Sequence, residues 1–114
     1  MFQIEYERAQ QDMVVIHVRG RLMLGADSHQ VEQLVARLLA EGVRDFVFNL
    51  EHLTHIDSTG IGRFIASYNL ILQVEGASLR MAAAAGAVRA AFRVTKLDTV
   101  FPFFPDIAAA CAAA

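Results

Sequence analysis

An α/β domain built on one mixed, largely parallel sheet is what the sequence predicts, and three observations predict it. Short runs rich in β-branched and aromatic residues alternate with longer segments whose apolar residues recur at helical spacing. The first two short runs are separated only by a polar tract, so they form a hairpin and make the sheet mixed. The 114 residues amount to one domain, able to bury one modest core without disulfide or metal.

Along the chain, Phe2–Tyr6 alternates apolar and polar residues, the pattern of a half-buried strand. Met13–Val18 is rich in β-branched residues and is predicted as the second strand, with the polar tract Glu7–Asp12 as the turn. Asp27 or Ser28 is a candidate cap for the first helix, in which Val31, Leu34, Val35, Leu38 and Leu39 form one apolar stripe before Gly42 stops it. Asp45–Leu50 reads as a buried strand and Glu51–Asp57 as a polar loop. A second helix is expected from Ser58 to about Glu75, with Ile61, Phe64, Ile65, Tyr68, Ile71 and Leu72 sharing a face and Gly76 ending it. Leu79–Ala82 is a further strand, and Val88, Ala91, Phe92 and Thr95 mark a third helix starting near Gly86. Val100–Phe104 reads as a last extended piece that Pro102 confines to a sheet edge. Asp106 then caps an Ala-rich helix running to the C-terminus.

Composition excludes several function classes. Hydrophobic residues make up 55%, with Ala crowded into 82–85 and 108–114. The net charge of −2, with no Lys/Arg stripe, argues against nucleic-acid binding. Cys111 is the single cysteine, so there is no internal disulfide and no Cys pair for zinc. No basic start precedes an apolar stretch, and no run approaches the ~18–20 apolar residues of a membrane span. A soluble cytoplasmic protein without membrane insertion is the expectation.

The most informative segment is Leu53-Thr54-His55-Ile56-Asp57-Ser58-Thr59-Gly60-Ile61-Gly62. Three cap-type residues in a row open a helix that carries two glycines in its first turn, where each Gly costs up to about 1 kcal/mol relative to Ala. Small residues let something approach the helix start closely: a partner backbone, a kinase active site or a neighbouring strand. The plainer reading is that Asp57 or Ser58 is an N-cap and the glycines serve close packing.

This segment resembles the STAS domain of anti-anti-sigma factors, the antagonists of anti-sigma factors. Their Asp-Ser-Ser/Thr-Gly-Leu/Ile-Gly signature at the start of the second helix is complete here as Asp57-Ser58-Thr59-Gly60-Ile61-Gly62. The resemblance covers nearly the whole chain: Val18-Arg19-Gly20-Arg21-Leu22 matches the strand ending in Gly-Glu-Leu-Asp, Val74–Leu79 the turn into a later strand, and Val88–Val100 the third helix and its tail. It implies a single STAS domain over residues 1–114, with a central mixed sheet of four or five strands and about four helices, most on one face.

The resemblance also implies a non-enzymatic switch without a cofactor. The unphosphorylated antagonist binds an anti-sigma factor that is also a serine kinase; phosphorylation of Ser58 breaks the complex, and a phosphatase acting on phospho-Ser58 restores it. Asp57, Ser58, Thr59, Gly60, Gly62 and Arg63, with Arg21 and Met23 from the Gly20–Gly25 loop, form the expected partner surface. A phosphate at a helix N-terminus is welcomed by free N–H groups and the macrodipole, so the expected switch is exclusion at the interface, not refolding. The chain departs from the family where Arg21 and Met23 replace acidic residues of the first loop. Either Arg21 pairs with a phosphate on Ser58, or the partner differs in its charges. Two roles of other classes stand beside this one: a STAS subunit of a lipid-transport ATPase complex, and a small-ligand or nucleotide-binding STAS module.

Other motifs carry less. His52, His55 and Asp57 lack the HExxH metal pattern, and Ser58 lacks the Gly-x-Ser-x-Gly elbow of a hydrolase. Gly20-x-x-x-x-Gly25 has Ala26-Asp27 where a phosphate loop needs Lys-Ser/Thr. Phe101–Phe104 reads as core and edge packing, with a homodimer patch as the alternative. Cys111 reads as part of a packed helix.

Overall fold

The structure, a computed structural model, describes residues 1–113. Strands β1 (Phe2–Gln10) and β2 (Met13–Leu22) form the expected antiparallel hairpin, and both run further than the alternation in the sequence indicated. Helix α1 (Gln30–Ala40) is followed by β3 (Asp45–Asn49) and β4 (Leu53–Ile56), then α2 (Ser58–Leu72), β5 (Ser78–Ala82), α3 (Gly86–Val94), a 3₁₀ turn at Leu97–Thr99, β6 (Phe103–Phe104) and α4 (Ile107–Ala112). The sheet order is β1-β2-β3-β5-β6, parallel throughout except for the hairpin.

The segment expected as a polar loop contains β4, and this strand positions the functional segment. β3 pairs with residues Met13–His17 of β2, leaving the second half of that long strand open on the same side. β4 fills the gap, with Gly20 opposite Leu53 and Leu22 opposite Ile56, across an irregularity between Gly20 and Arg21. The start of α2 is thereby set against the end of β2.

Helices α1, α2 and α3 cover one face of the sheet and α4 the other. The larger core joins Val14, Ile16, Val18, Phe46, Phe48 and Met81 to Val35, Leu38, Phe64 and Phe92. The smaller core sets Met13, Val15, Val47 and Ala82 against Ala110. This alternation of adjacent strand residues between cores is the two-residue period of a strand.

Several boundaries differ from expectation for local reasons. Residues 27–29 form turns ahead of α1, whose N-cap is His29 without a side-chain cap bond; the Asp27 carboxylate instead accepts from Gln30 Nε2 at 3.0 Å, and Ser28 is buried. Gly42, at φ +99°, ends α1 as expected: its N–H donates to Leu39 O at 3.1 Å and that of Val43 to Leu38 O at 3.0 Å, so the last carbonyls are satisfied. α2 stops at Leu72, short of Glu75, and Gly76 takes the following turn with φ +80°. The extended piece expected over Val100–Phe104 shortens to Phe103–Phe104, an edge strand just after Pro102. Phe101 is buried, the Arg89 guanidinium lies 4.1 Å from the Phe103 ring centre, and Phe104 packs on the α4 core, so this cluster is core and edge packing. The Asp106 carboxylate caps α4 by accepting from Ala109 N at 2.8 Å, and half-buried Cys111, on that helix, packs against the smaller core. The helix expected to run to the C-terminus ends at Ala112, with Ala113 as its C-cap, and Ala114 lies outside the described residues.

Candidate functional site

Asp57 organises the site. It is the N-cap of α2, in extended conformation, and its Oδ1 accepts from Gly60 N at 3.0 Å. Its Oδ2 accepts from Leu24 N at 2.9 Å. One carboxylate therefore closes the helix start and ties down the tip of the loop leaving β2. The bond from Leu24 N–H, and secondarily that from Gly60 N–H, hold the Asp57 carboxyl below the ordinary carboxylate range.

A lowered folded value means that the stability Asp57 supplies is complete above the ordinary carboxylate range and is lost as pH falls through the lowered value. Asp57→Ala is expected to cost about 1 kcal/mol, set by its role as a cap and tempered by its partial exposure. It is also expected to speed hydrogen exchange at the Leu24 amide. Urea unfolding of both proteins at neutral and acid pH checks this: the gap between them should close in acid, and a gap independent of pH would contradict the assignment.

Because Asp57 is the cap, Ser58 is left free. It is the first residue of α2, it is exposed, and among the described residues its hydroxyl has no hydrogen-bond partner. Thr59 is half-buried. Gly60 is buried because α2 crosses the end of β2 there: a Cβ would lie 2.2 Å from Leu22 O and 2.7 Å from Ile56 Cγ1. The neighbouring strand is therefore what approaches the helix start at this glycine. Gly62 faces open space, with nothing within 4 Å of a Cβ.

The remaining sequence candidates fall on different sides of this centre. Arg63 turns toward α1: its Nη1 lies 2.8 Å from Glu32 Oε1 and 2.9 Å from His29 Nδ1. Exposed Arg21 and half-buried Met23 line a concavity of about 510 Å³ with Leu24, Asp27, Gln30 and Asp57. Ser58 and Gly62 line a different one, a groove of about 430 Å³ between α2 and α3 whose walls include Ile61, Ile65, Ala91 and Val94. Asp57 is common to both. Arg21 and Ser58 thus line two concavities that meet at Asp57. His55 Nδ1 lies 2.9 Å from Thr54 Oγ1, and among the described residues no group of three or more His, Cys, Asp or Glu gathers as a metal site.

Sequence reasoning missed the groove and the apolar loop tip. Leu24 is 81% exposed and Val94 80% exposed, one on each side of the Asp57–Ser58 pair. The signal for Val94 was available: it falls off the apolar stripe of α3 formed by Val88 and Phe92.

The family model described as the STAS domain matches residues 4–110. The chain belongs to the STAS-domain family. Its fold is similar to that of an anti-sigma factor antagonist from Mycobacterium paratuberculosis, at 21% identity and TM-score 0.86, over 99% of this chain and 93% of that one. It is also similar to the Bacillus cell fate determinant SpoIIAA in its phosphorylated form, at 19% identity and TM-score 0.74, over 98% of this chain and all of that one. A sulfate transporter family protein from Wolinella succinogenes shares the fold at 14% identity and TM-score 0.80, over 94% of this chain and 88% of that one. The STAS fold therefore occurs in proteins of different roles. No helix among the described residues is long and apolar enough to cross a membrane.

Proposed function

We propose that this STAS domain is an anti-sigma factor antagonist that binds an anti-sigma factor with serine-kinase activity and is released when Ser58 is phosphorylated. The observation that carries the reading is the division of labour at the start of α2. Asp57 does the capping, so the Ser58 hydroxyl has no structural duty and stands open to a partner. Fold similarity to anti-sigma factor antagonists supports the same role.

The chemistry follows from the surroundings of that hydroxyl. In the kinase, Ser58 Oγ takes the γ-phosphoryl group of ATP, its proton passes to a base of the kinase, and ADP leaves. The product adds about −1.5 to −2 charges beside the Asp57 carboxylate. Arg63, the nearest cation in sequence, is engaged by Glu32. The added charge is therefore presented to the partner, where a mismatch weakens binding strongly. The free N–H groups of the first helical turn and the macrodipole accommodate the phosphate, so the fold persists. A phosphatase returns the domain to its binding state by hydrolysing the phosphoserine.

Calorimetric titration against the purified serine-kinase anti-sigma factors of the native host tests the proposal. Wild type and Ser58→Ala are expected to bind one of them, and Ser58→Asp to bind it at least about tenfold more weakly. Equal binding by all three proteins would remove Ser58 as the control point. In the phosphorylated domain, amide shift changes are expected to stay within the α2 start, the Gly20–Gly25 loop and the α2–α3 groove. Changes spread across the sheet would contradict exclusion at the interface.

A further inference from the structure

We infer that Gly62 is kept bare by the partner and not by the fold, so that it sets how closely the partner approaches α2. The inference rests on the reading of Ser58 given above and adds to it a residue that governs partner fit. Two glycines of one motif, two residues apart, meet opposite surroundings. At Gly60 the backbone of β2 blocks any side chain, with Leu22 O at 2.2 Å from a Cβ. At Gly62 a Cβ meets nothing within 4 Å, and the backbone does not take the positive φ that would favour glycine. The fold would accept alanine there and gain helix propensity from it. The isolated domain therefore carries a destabilising residue that its own packing does not require.

The position of Gly62 says what requires it. It follows Ser58 by four residues, one helical turn along the same face, and both line the groove between α2 and α3. A serine kinase that reaches the Ser58 hydroxyl stands over the first turn of α2, and Gly62 is the next surface it meets. The groove walls are largely apolar, with Ile65 38% exposed and Val94 80% exposed. The matching element of the kinase is thus an apolar segment whose backbone or small side chain seats against the bare helix backbone at Gly62. A methyl group there holds the two chains apart while leaving the Ser58 hydroxyl untouched.

The test pairs thermal unfolding with titration against the same purified kinases, using Gly62→Ala, Ser58→Asp and Asn69→Ala. Asn69 is an exposed α2 residue two turns beyond Gly62 and outside the groove lining, and its alanine variant controls for greater helix stability alone. Gly62→Ala is expected to melt about 2–5 °C higher than wild type and to bind at least about tenfold more weakly. Asn69→Ala is expected to bind like wild type. A lower melting temperature for Gly62→Ala would show that the fold needs the glycine and would overturn the inference. Wild-type binding by Gly62→Ala, with binding lost in Ser58→Asp, would overturn it while leaving the Ser58 reading intact. Failure of wild type itself to bind any of the kinases would overturn both.

Discussion

Phe64→Ala is expected to lose about 3–5 kcal/mol of folding stability, the largest effect of any single truncation proposed for this domain. Phe64 is fully buried on α2 and joins elements that are distant in sequence. Its ring meets Phe48 of β3 edge-on at 5.2 Å and Phe92 of α3 at 5.7 Å. Phe92 in turn meets Phe101 at 6.0 Å and Phe103 at 5.2 Å. Truncation forfeits the transfer energy of the ring, leaves a cavity, and removes aromatic contacts worth about 0.5–1.5 kcal/mol each beyond their area. The neighbours cannot collapse freely into the space, because β3 is central in the sheet and the other rings are held by each other. The loss is a large fraction of the roughly 5–15 kcal/mol that a domain of this kind possesses. Urea unfolding followed by circular dichroism measures it, and a loss below about 1 kcal/mol would mean that the ring is not the hub its contacts suggest. Phe64 also fixes α2 relative to α3, so the groove beside Ser58 should loosen. Faster hydrogen exchange along α3 in Phe64→Ala would report that coupling.

Much of this architecture was legible in the sequence because one residue type at one spacing had one physical consequence. The stripe Val31, Val35, Leu38 buried α1 as its period required, and Gly42 took the left-handed turn that ends the helix. Asp57-Ser58 marked the start of α2 to the residue, since only a short polar side chain caps the free N–H groups there. β4 was not legible. Leu53-Thr54-His55-Ile56 is four residues long, with polar residues at its centre, and it is a strand only because β2 outruns β3 and leaves a pairing edge open. That cause lies in a strand distant along the chain, beyond the reach of local pattern. The two concavities beside Asp57 escaped for the same reason: each is lined by segments that only the tertiary fold brings together. The roles of the two glycines were likewise open in the sequence, where both looked alike. Whether each faces a strand or open space depends on where β2 ends.

Gly60→Ala is expected to destabilise the domain by about 2 kcal/mol, opposite in sign to the effect at Gly62. Alanine adds helix propensity worth up to about 1 kcal/mol, and overpacking in a filled site costs about 1–3 kcal/mol or more. The balance is decided by what the methyl group meets. The obstacle 2.2 Å away is the Leu22 carbonyl oxygen, and Leu22 is paired to Ile56 in the β2–β4 ladder. A flexible side chain would yield; a backbone group held in a ladder yields only if the ladder or the helix moves. Relief by tilting α2 away from β2 would also stretch the 2.9 Å bond from Leu24 N–H to Asp57, because the two groups sit on the elements being parted. Gly60→Ala should therefore show both a lower urea midpoint and faster exchange of the Leu24 amide. Loss of stability with the Leu24 amide still protected would place the strain in β2 instead of α2. Unchanged stability would mean that the crossing has slack, and that the bare helix start is no more demanded by the fold at Gly60 than it is at Gly62.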